Sequence, residues 1–77
     1  MTQTTLDLKG LKCPLPALKA RKALTKITTG SELLVLCTDP MAAIDIPHLI
    51  RETGDVLVSQ STSENVMTFV IRKGQPA

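Results

Sequence analysis

Three observations predict an α+β chain: a two-layer α/β sandwich of a four-stranded mixed sheet with two helices on one face. Four short stretches, at 4–8, 32–38, 56–61 and 66–73, carry strand-like patterns. Two amphipathic stretches with early prolines separate the first three, which gives the order βαβαββ. The last two strands lie close enough for an antiparallel hairpin. The first two are joined through a helix and should run parallel with a right-handed crossover.

In the first strand Leu6 and Leu8 share one side, and Thr5 and Asp7 share the other. Gly10 ends it and turns the chain. From 14 to about 28, Ala17, Ala20, Ala23, Leu24 and Ile27 fall on one helical stripe. Lys19, Lys22 and Lys26 line the opposite face, Arg21 flanks it, and Leu18 projects beside the basic side. Gly30 is a C-terminal stop. In the second strand Leu33, Val35 and Cys37 should face the helices, while Glu32, Leu34, Leu36 and Thr38 take the more open side. Cys37 then reads as a small buried hydrophobe. Thr38-Asp39-Pro40 is a turn, with Asp39 available as a cap. Pro47 argues against one continuous helix from 40 to 53. The second helix is therefore expected to start at Asp45 as N-cap, with Pro47 in its first turn, Gly54 as its stop, and Ile46, Leu49 and Ile50 buried. Thr62-Ser63-Glu64-Asn65 joins the last two strands.

The chemistry concentrates at Gly10-Leu11-Lys12-Cys13-Pro14-Leu15-Pro16. Proline fits the first turn of a helix, where N–H groups have no intrahelical partner. Pro14 should then be the first helical residue and Cys13 the N-cap, a place normally held by Ser, Thr, Asp or Asn. The positive end of a helix favours an anion, and thiol pKa values fall at such sites. With both prolines lacking a donor, the Leu15 N–H and the N–H of Cys13 itself remain to meet the sulfur. These features point to a solvent-facing, reactive thiol rather than an inert buried one. In open α/β sheets, chemistry collects at the carboxyl ends of the strands, where this helix begins.

Six basic residues and no acidic one lie between Lys9 and Lys26, although the net charge is only +2. Lys9, Lys12, Lys19, Arg21 and Lys22 adjoin the thiol. They are read either as anion-stabilising and partner-docking groups or as an ordinary solvated face. The 77 residues allow one domain, spanning the chain. The strongest apolar run, 33–37, is too short to span a bilayer, and the first residues lack the pattern of a signal peptide. Two cysteines in such a chain read as cytoplasmic thiols. Two cysteines and one histidine, spaced 24 and 11 residues apart, form no zinc pattern. No metal or cofactor is expected. His48 reads as a surface residue. Direct nucleic-acid binding is not expected either: Phe69 is the only aromatic side chain, and base-stacking platforms need several.

The run Asp7-Leu8-Lys9-Gly10-Leu11-Lys12-Cys13-Pro14-Leu15-Pro16 resembles the signature of the TusA (SirA-like) family of small sulfur carriers. Thr38-Asp39-Pro40, Asp45-Ile46-Pro47 and Ile71-Arg72-Lys73-Gly74 agree, so the similarity covers essentially the whole chain. The resemblance implies a two-layer α/β fold and a cysteine, here Cys13, that carries sulfur as a persulfide; the turn and helix-start chemistry above makes Gly10, Pro14 and Pro16 the residues that shape the site. It implies a cysteine desulfurase or rhodanese as donor and a DsrE- or TusD-type protein as acceptor. The family's routes include 2-thiouridine formation in tRNA, molybdenum-cofactor assembly and sulfur oxidation. Leu15 stands between the prolines where tRNA-thiolation carriers have an acid, which leaves the downstream route open.

The leading expectation is therefore a covalent sulfur carrier rather than a stand-alone turnover enzyme. The Cys13 thiolate would attack the terminal sulfur of a donor persulfide, and an acceptor cysteine would then take that sulfur. Two alternatives remain. One is a thiol redox switch with Cys37 as resolving thiol, which needs the two Cα atoms within about 7 Å. The other is a small basic binding module.

Overall fold

The structure, a computed structural model, describes residues 3–74. Its elements follow the expected order: β1 (Gln3–Leu8), α1 (Leu15–Leu24), β2 (Glu32–Cys37), α2 (Ala42–Thr53), β3 (Val56–Ser63) and β4 (Val66–Arg72). The strands form one mixed sheet in the order β1-β2-β4-β3. β1 and β2 are parallel, whereas β4 is antiparallel to both β2 and β3.

Strict alternation decides which face of the sheet is covered. Leu33, Val35 and Cys37 of β2 and Met67, Phe69 and Ile71 of β4 are buried, and their alternates are half-buried or exposed. Ala20 and Leu24 of α1 and Ala42, Ile46, Leu49 and Ile50 of α2 close over the same apolar set. Both helices thus lie on one face, as the parity of β2 predicts.

Four local expectations need correction. First, α1 ends at Leu24 rather than near residue 28. The Thr25 hydroxyl donates to the Lys22 carbonyl, and the Thr25 N–H is shared between the carbonyls of Arg21 and Lys22, which tightens the last turn. Second, α2 is continuous through Pro47 and begins at Ala42, with Met41 as its cap residue, so Asp45 is a first-turn residue rather than the N-cap. An interior proline costs about 3 kcal/mol. Fully burying an aliphatic side chain contributes about 1.5–3 kcal/mol, so the burial of Ile46, Leu49 and Ile50 offsets that cost. Gly54 ends it in the left-handed region, with its N–H on the Ile50 carbonyl.

Third, the hairpin loop is shorter than four residues. Register holds to Ser63↔Val66, leaving Glu64 and Asn65 to turn the chain with φ of 51° and 67°. Two positive φ values in succession are those of a type I′ turn, whose twist matches the strands. Fourth, Pro14 is the cap residue of α1, and Cys13 precedes it through a cis peptide bond. Pro16, at the second helical position, is buried.

Parallel pairing of β1 with β2 ends at Leu8↔Cys37. The two loops that leave these strands, 9–14 and 38–41, therefore emerge side by side, and both lead into helices. The candidate site is built where they meet.

Candidate functional site

Cys13 is exposed and free, and Cys37 is free but fully buried in the core. The loop carrying Cys13 is tied down at three points. The Gly10 N–H donates to Thr38 Oγ1 at 2.8 Å. The Cys13 N–H donates to Asp39 Oδ2, whose other oxygen accepts the Met41 N–H at 3.1 Å. The Cys13 thiol donates to Asp45 Oδ2 at 2.7 Å. Gly10 permits this path because its φ of 85° is one that L side chains rarely adopt.

These bonds reverse the electrostatics read from the sequence. The Leu15 N–H bonds the Lys12 carbonyl at 2.9 Å, and the Cys13 N–H is taken by Asp39, so neither donor expected to meet the sulfur does so. The sulfur faces an acceptor instead. The hydrogen bond to Asp45 raises the Cys13 pKa above its ordinary value, and desolvation and the negative charges of Asp45 and Asp39 act in the same direction. The shift is therefore upward, toward the protonated thiol, contrary to the expected lowering. Asp39 is shifted the opposite way: the N–H groups of Cys13 and Met41 stabilise its carboxylate and hold its pKa down, with help from Lys12.

The basic residues divide. Lys12 acts on Asp39, and Lys9 sits 3.9 Å from Asp7. Arg21 faces the thiol's side of α1 and reaches Glu52 at 3.5 Å. Lys19 and Lys22 do not join the thiol; they border a separate hollow with Leu6 and Lys26. His48 is on the surface, as expected, with Nε2 2.6 Å from Glu52 Oε1. It also borders the groove that Cys13 opens onto, a hollow of about 220 Å³ between α1 and α2. Ala17, Leu18 and Leu49 supply its apolar wall. Leu15, Leu18, Met41 and Ile44, all from the starts of the two helices, are exposed large apolar side chains at the same end of the fold.

Gly10, Cys13, Pro14 and Pro16 lie together where β1 leads into α1; Asp39, read as a cap, and Asp45, read as an N-cap, also bond Cys13, which the sequence reading did not indicate. A usable signal existed: if β1 and β2 are parallel neighbours, an acid two residues beyond β2 lies opposite the loop that follows β1. Among the described residues no group of His, Cys, Asp and Glu side chains could hold a metal ion, and no helix is long and apolar enough to cross a membrane.

Comparison with known proteins agrees with this architecture. Residues 4–73 match the family model described as sulfurtransferase TusA. Two curated proteins of Neisseria meningitidis, one from serogroup A and one from serogroup B, are each named "putative sulfur carrier protein" and are 46% identical to this chain over 72 residues. The alignment covers 94% of this chain and 97% of each relative. The crystal structure of a SirA-like protein from Desulfitobacterium hafniense superposes with a TM-score of 0.81 at 23% identity, covering 94% of this chain and 99% of that one. At that identity the likeness concerns the fold.

Proposed function

The chain belongs to the TusA sulfurtransferase family, the sulfur carriers, and from that premise we propose that Cys13 accepts sulfane sulfur as a persulfide and passes it to an acceptor protein. The observation that carries this reading is the placement of Cys13: an unpaired, exposed sulfur on a loop clamped by Thr38 and Asp39, at the mouth of an interhelical groove.

In the proposed step, Cys13 Sγ attacks the terminal sulfur of a donor persulfide. One S–S bond forms and one breaks, the donor sulfur leaves as a thiolate and takes up a proton, and no net oxidation occurs. A cysteine thiol of the acceptor repeats the exchange at the terminal sulfur of the loaded Cys13. A cysteine desulfurase or a rhodanese fits as donor and a DsrE- or TusD-type protein as acceptor, since each offers a cysteine to a protruding sulfur. Thiolation of tRNA, molybdenum-cofactor assembly and sulfur oxidation are the routes this chemistry serves, in the cytoplasm. The exposed Leu18, in the same groove as Cys13, and the exposed Leu15, Met41 and Ile44 at the starts of the two helices offer the partner apolar surface. Arg21, which lines the same groove as Cys13, and Lys12, next to Cys13 in the chain, are the basic residues assigned to partner contact.

The buried position of Cys37 favours packing over a resolving role. Incubation with a cysteine desulfurase and cysteine, followed by intact-mass and peptide analysis, tests the assignment. The expected result is a gain of one sulfur on Cys13 and none in Cys13→Ser; equal loading of the variant would sink the proposal.

A further inference from the structure

We propose that Asp45 is the acid–base residue of the sulfur transfer: its carboxylate takes the Cys13 proton as the sulfur attacks the donor and returns it to the thiolate that leaves. The inference rests on the carrier chemistry proposed above and adds a residue to it.

The geometry carries the assignment. Asp45 Oδ2 lies 2.7 Å from Sγ and accepts its hydrogen bond. A proton acceptor at that distance is within reach of the proton it must remove. Its position is fixed from behind, because the next residue, Ile46, is fully buried and the carboxylate projects from the first turn of a continuous α2. The other charged groups around the thiol are engaged elsewhere. Asp39 accepts two backbone N–H groups, and Lys12 acts on Asp39. Arg21 and His48 both reach Glu52 farther along the groove. Asp45 is thus the group left to handle the thiol proton.

The step balances. Cys13 S–H and a donor R–S–SH give Cys13 S–SH and R–SH. The electron pair of the broken S–S bond goes to the donor sulfur, and the proton held on Asp45 follows it. A thiol kept neutral by its neighbour is a poor nucleophile alone, and a base that removes the proton during attack resolves that difficulty. Asp45 also distinguishes two kinds of reaction at Cys13. Alkylation needs only thiolate and has no leaving thiolate to protonate, whereas sulfur transfer has both needs.

The test compares the wild-type protein with Asp45→Asn and Asp45→Glu at pH about 7. The asparagine is isosteric and can still accept a hydrogen bond, but it cannot take the proton. Loading is followed as the gain of one sulfur from glutathione persulfide under single-turnover conditions, and thiol reactivity as alkylation by iodoacetamide. Loading of Asp45→Asn should fall by about tenfold or more, below the ~10²–10⁴ typical of acid–base groups because this carboxylate is partly solvated. Its alkylation should accelerate, because the carboxylate that holds the thiol protonated is gone. Asp45→Glu should load faster than Asp45→Asn. Opposite movement of the two rates is not what a loosened fold would give. Loading that matches or exceeds wild type in Asp45→Asn, or the reverse order of the two variants, overturns the role of Asp45 alone. A wild-type protein that never gains sulfur on Cys13 overturns the carrier reading, and the role of Asp45 with it.

Discussion

Asp39 accepts the backbone N–H of Cys13 with one carboxylate oxygen and the N–H of Met41 with the other. A single side chain thereby joins the loop that presents the thiol to the start of α2, which presents Asp45. The two parts of the site belong to different βα units, and this bridge fixes their distance.

Removing the bridge should loosen both loops. Asp39→Ala leaves the Met41 and Cys13 donors without their acceptor, a loss comparable to that of a helix cap, and should lower the melting temperature by about 4–8 °C. Asp39→Asn keeps one acceptor oxygen and should cost less. The sign of the pH effect follows from the lowered pKa of Asp39. Its contribution is present above the ordinary carboxylate pKa and is lost as pH falls through the lowered value. Urea denaturation across the acid range should show that slope in wild type and a shallower one in Asp39→Asn.

Much of this was legible in the chain and part was not. The parity of Leu33, Val35 and Cys37 identified the buried face of β2, and Gly10, Cys13, Pro14 and Pro16 marked the turn that leads into α1. What misled was treating each loop alone. A cysteine followed by proline at the start of a helix suggests a thiolate at a positive helix end. That inference assumes the sulfur meets backbone donors, and here Asp39 and Lys12 occupy them. Which residues face Cys13 depends on the pairing of β1 with β2, and no local pattern encodes the arrival of Asp45 from 32 residues away. The lysine stripe shows the same dependence on the fold: the turn of the helix puts Lys19 and Lys22 on a hollow apart from the groove of Cys13.

The raised pKa of Cys13 gives a reactivity prediction of definite sign. The rate of iodoacetamide alkylation should climb with pH and reach its midpoint above the ordinary thiol value. Below that midpoint the thiol is protonated and slow, and the higher intrinsic nucleophilicity of a more basic thiolate only partly offsets its scarcity. Added salt screens the two carboxylates and should therefore speed alkylation at neutral pH. A thiol activated by the lysines would respond in the opposite direction.

Pro47 interrupts the hydrogen-bonding ladder of α2 without breaking the helix. Replacing it with alanine restores a donor and removes a ring clash, so Pro47→Ala should stabilise the protein by about 1–3 kcal/mol. The upper figure applies only if the surrounding turn relaxes to regular geometry. That relaxation would also move Asp45, two residues earlier, relative to Cys13. Stability should therefore rise while persulfide loading falls; denaturation and mass analysis on the same sample check both.

Cys37 pairs in register with Leu8 at the end of β2 and is fully buried. Burial pushes its pKa up to about 11, and the charge of Asp39 adds to the shift. The unfolded chain ionises this thiol near its ordinary value of about 8.5. Below that pH both states hold the proton and stability is insensitive to it. Between there and pH 11 the unfolded state sheds a proton that the native state keeps, so stability falls as pH rises. Cys37→Ala should cost about 1 kcal/mol at neutral pH through the lost sulfur contacts, yet flatten this alkaline slope. It should also load sulfur on Cys13 at the wild-type rate, because a side chain enclosed by the core offers no thiol for a disulfide to resolve. A loss of loading in Cys37→Ala at unchanged stability would instead make Cys37 a participant in the chemistry.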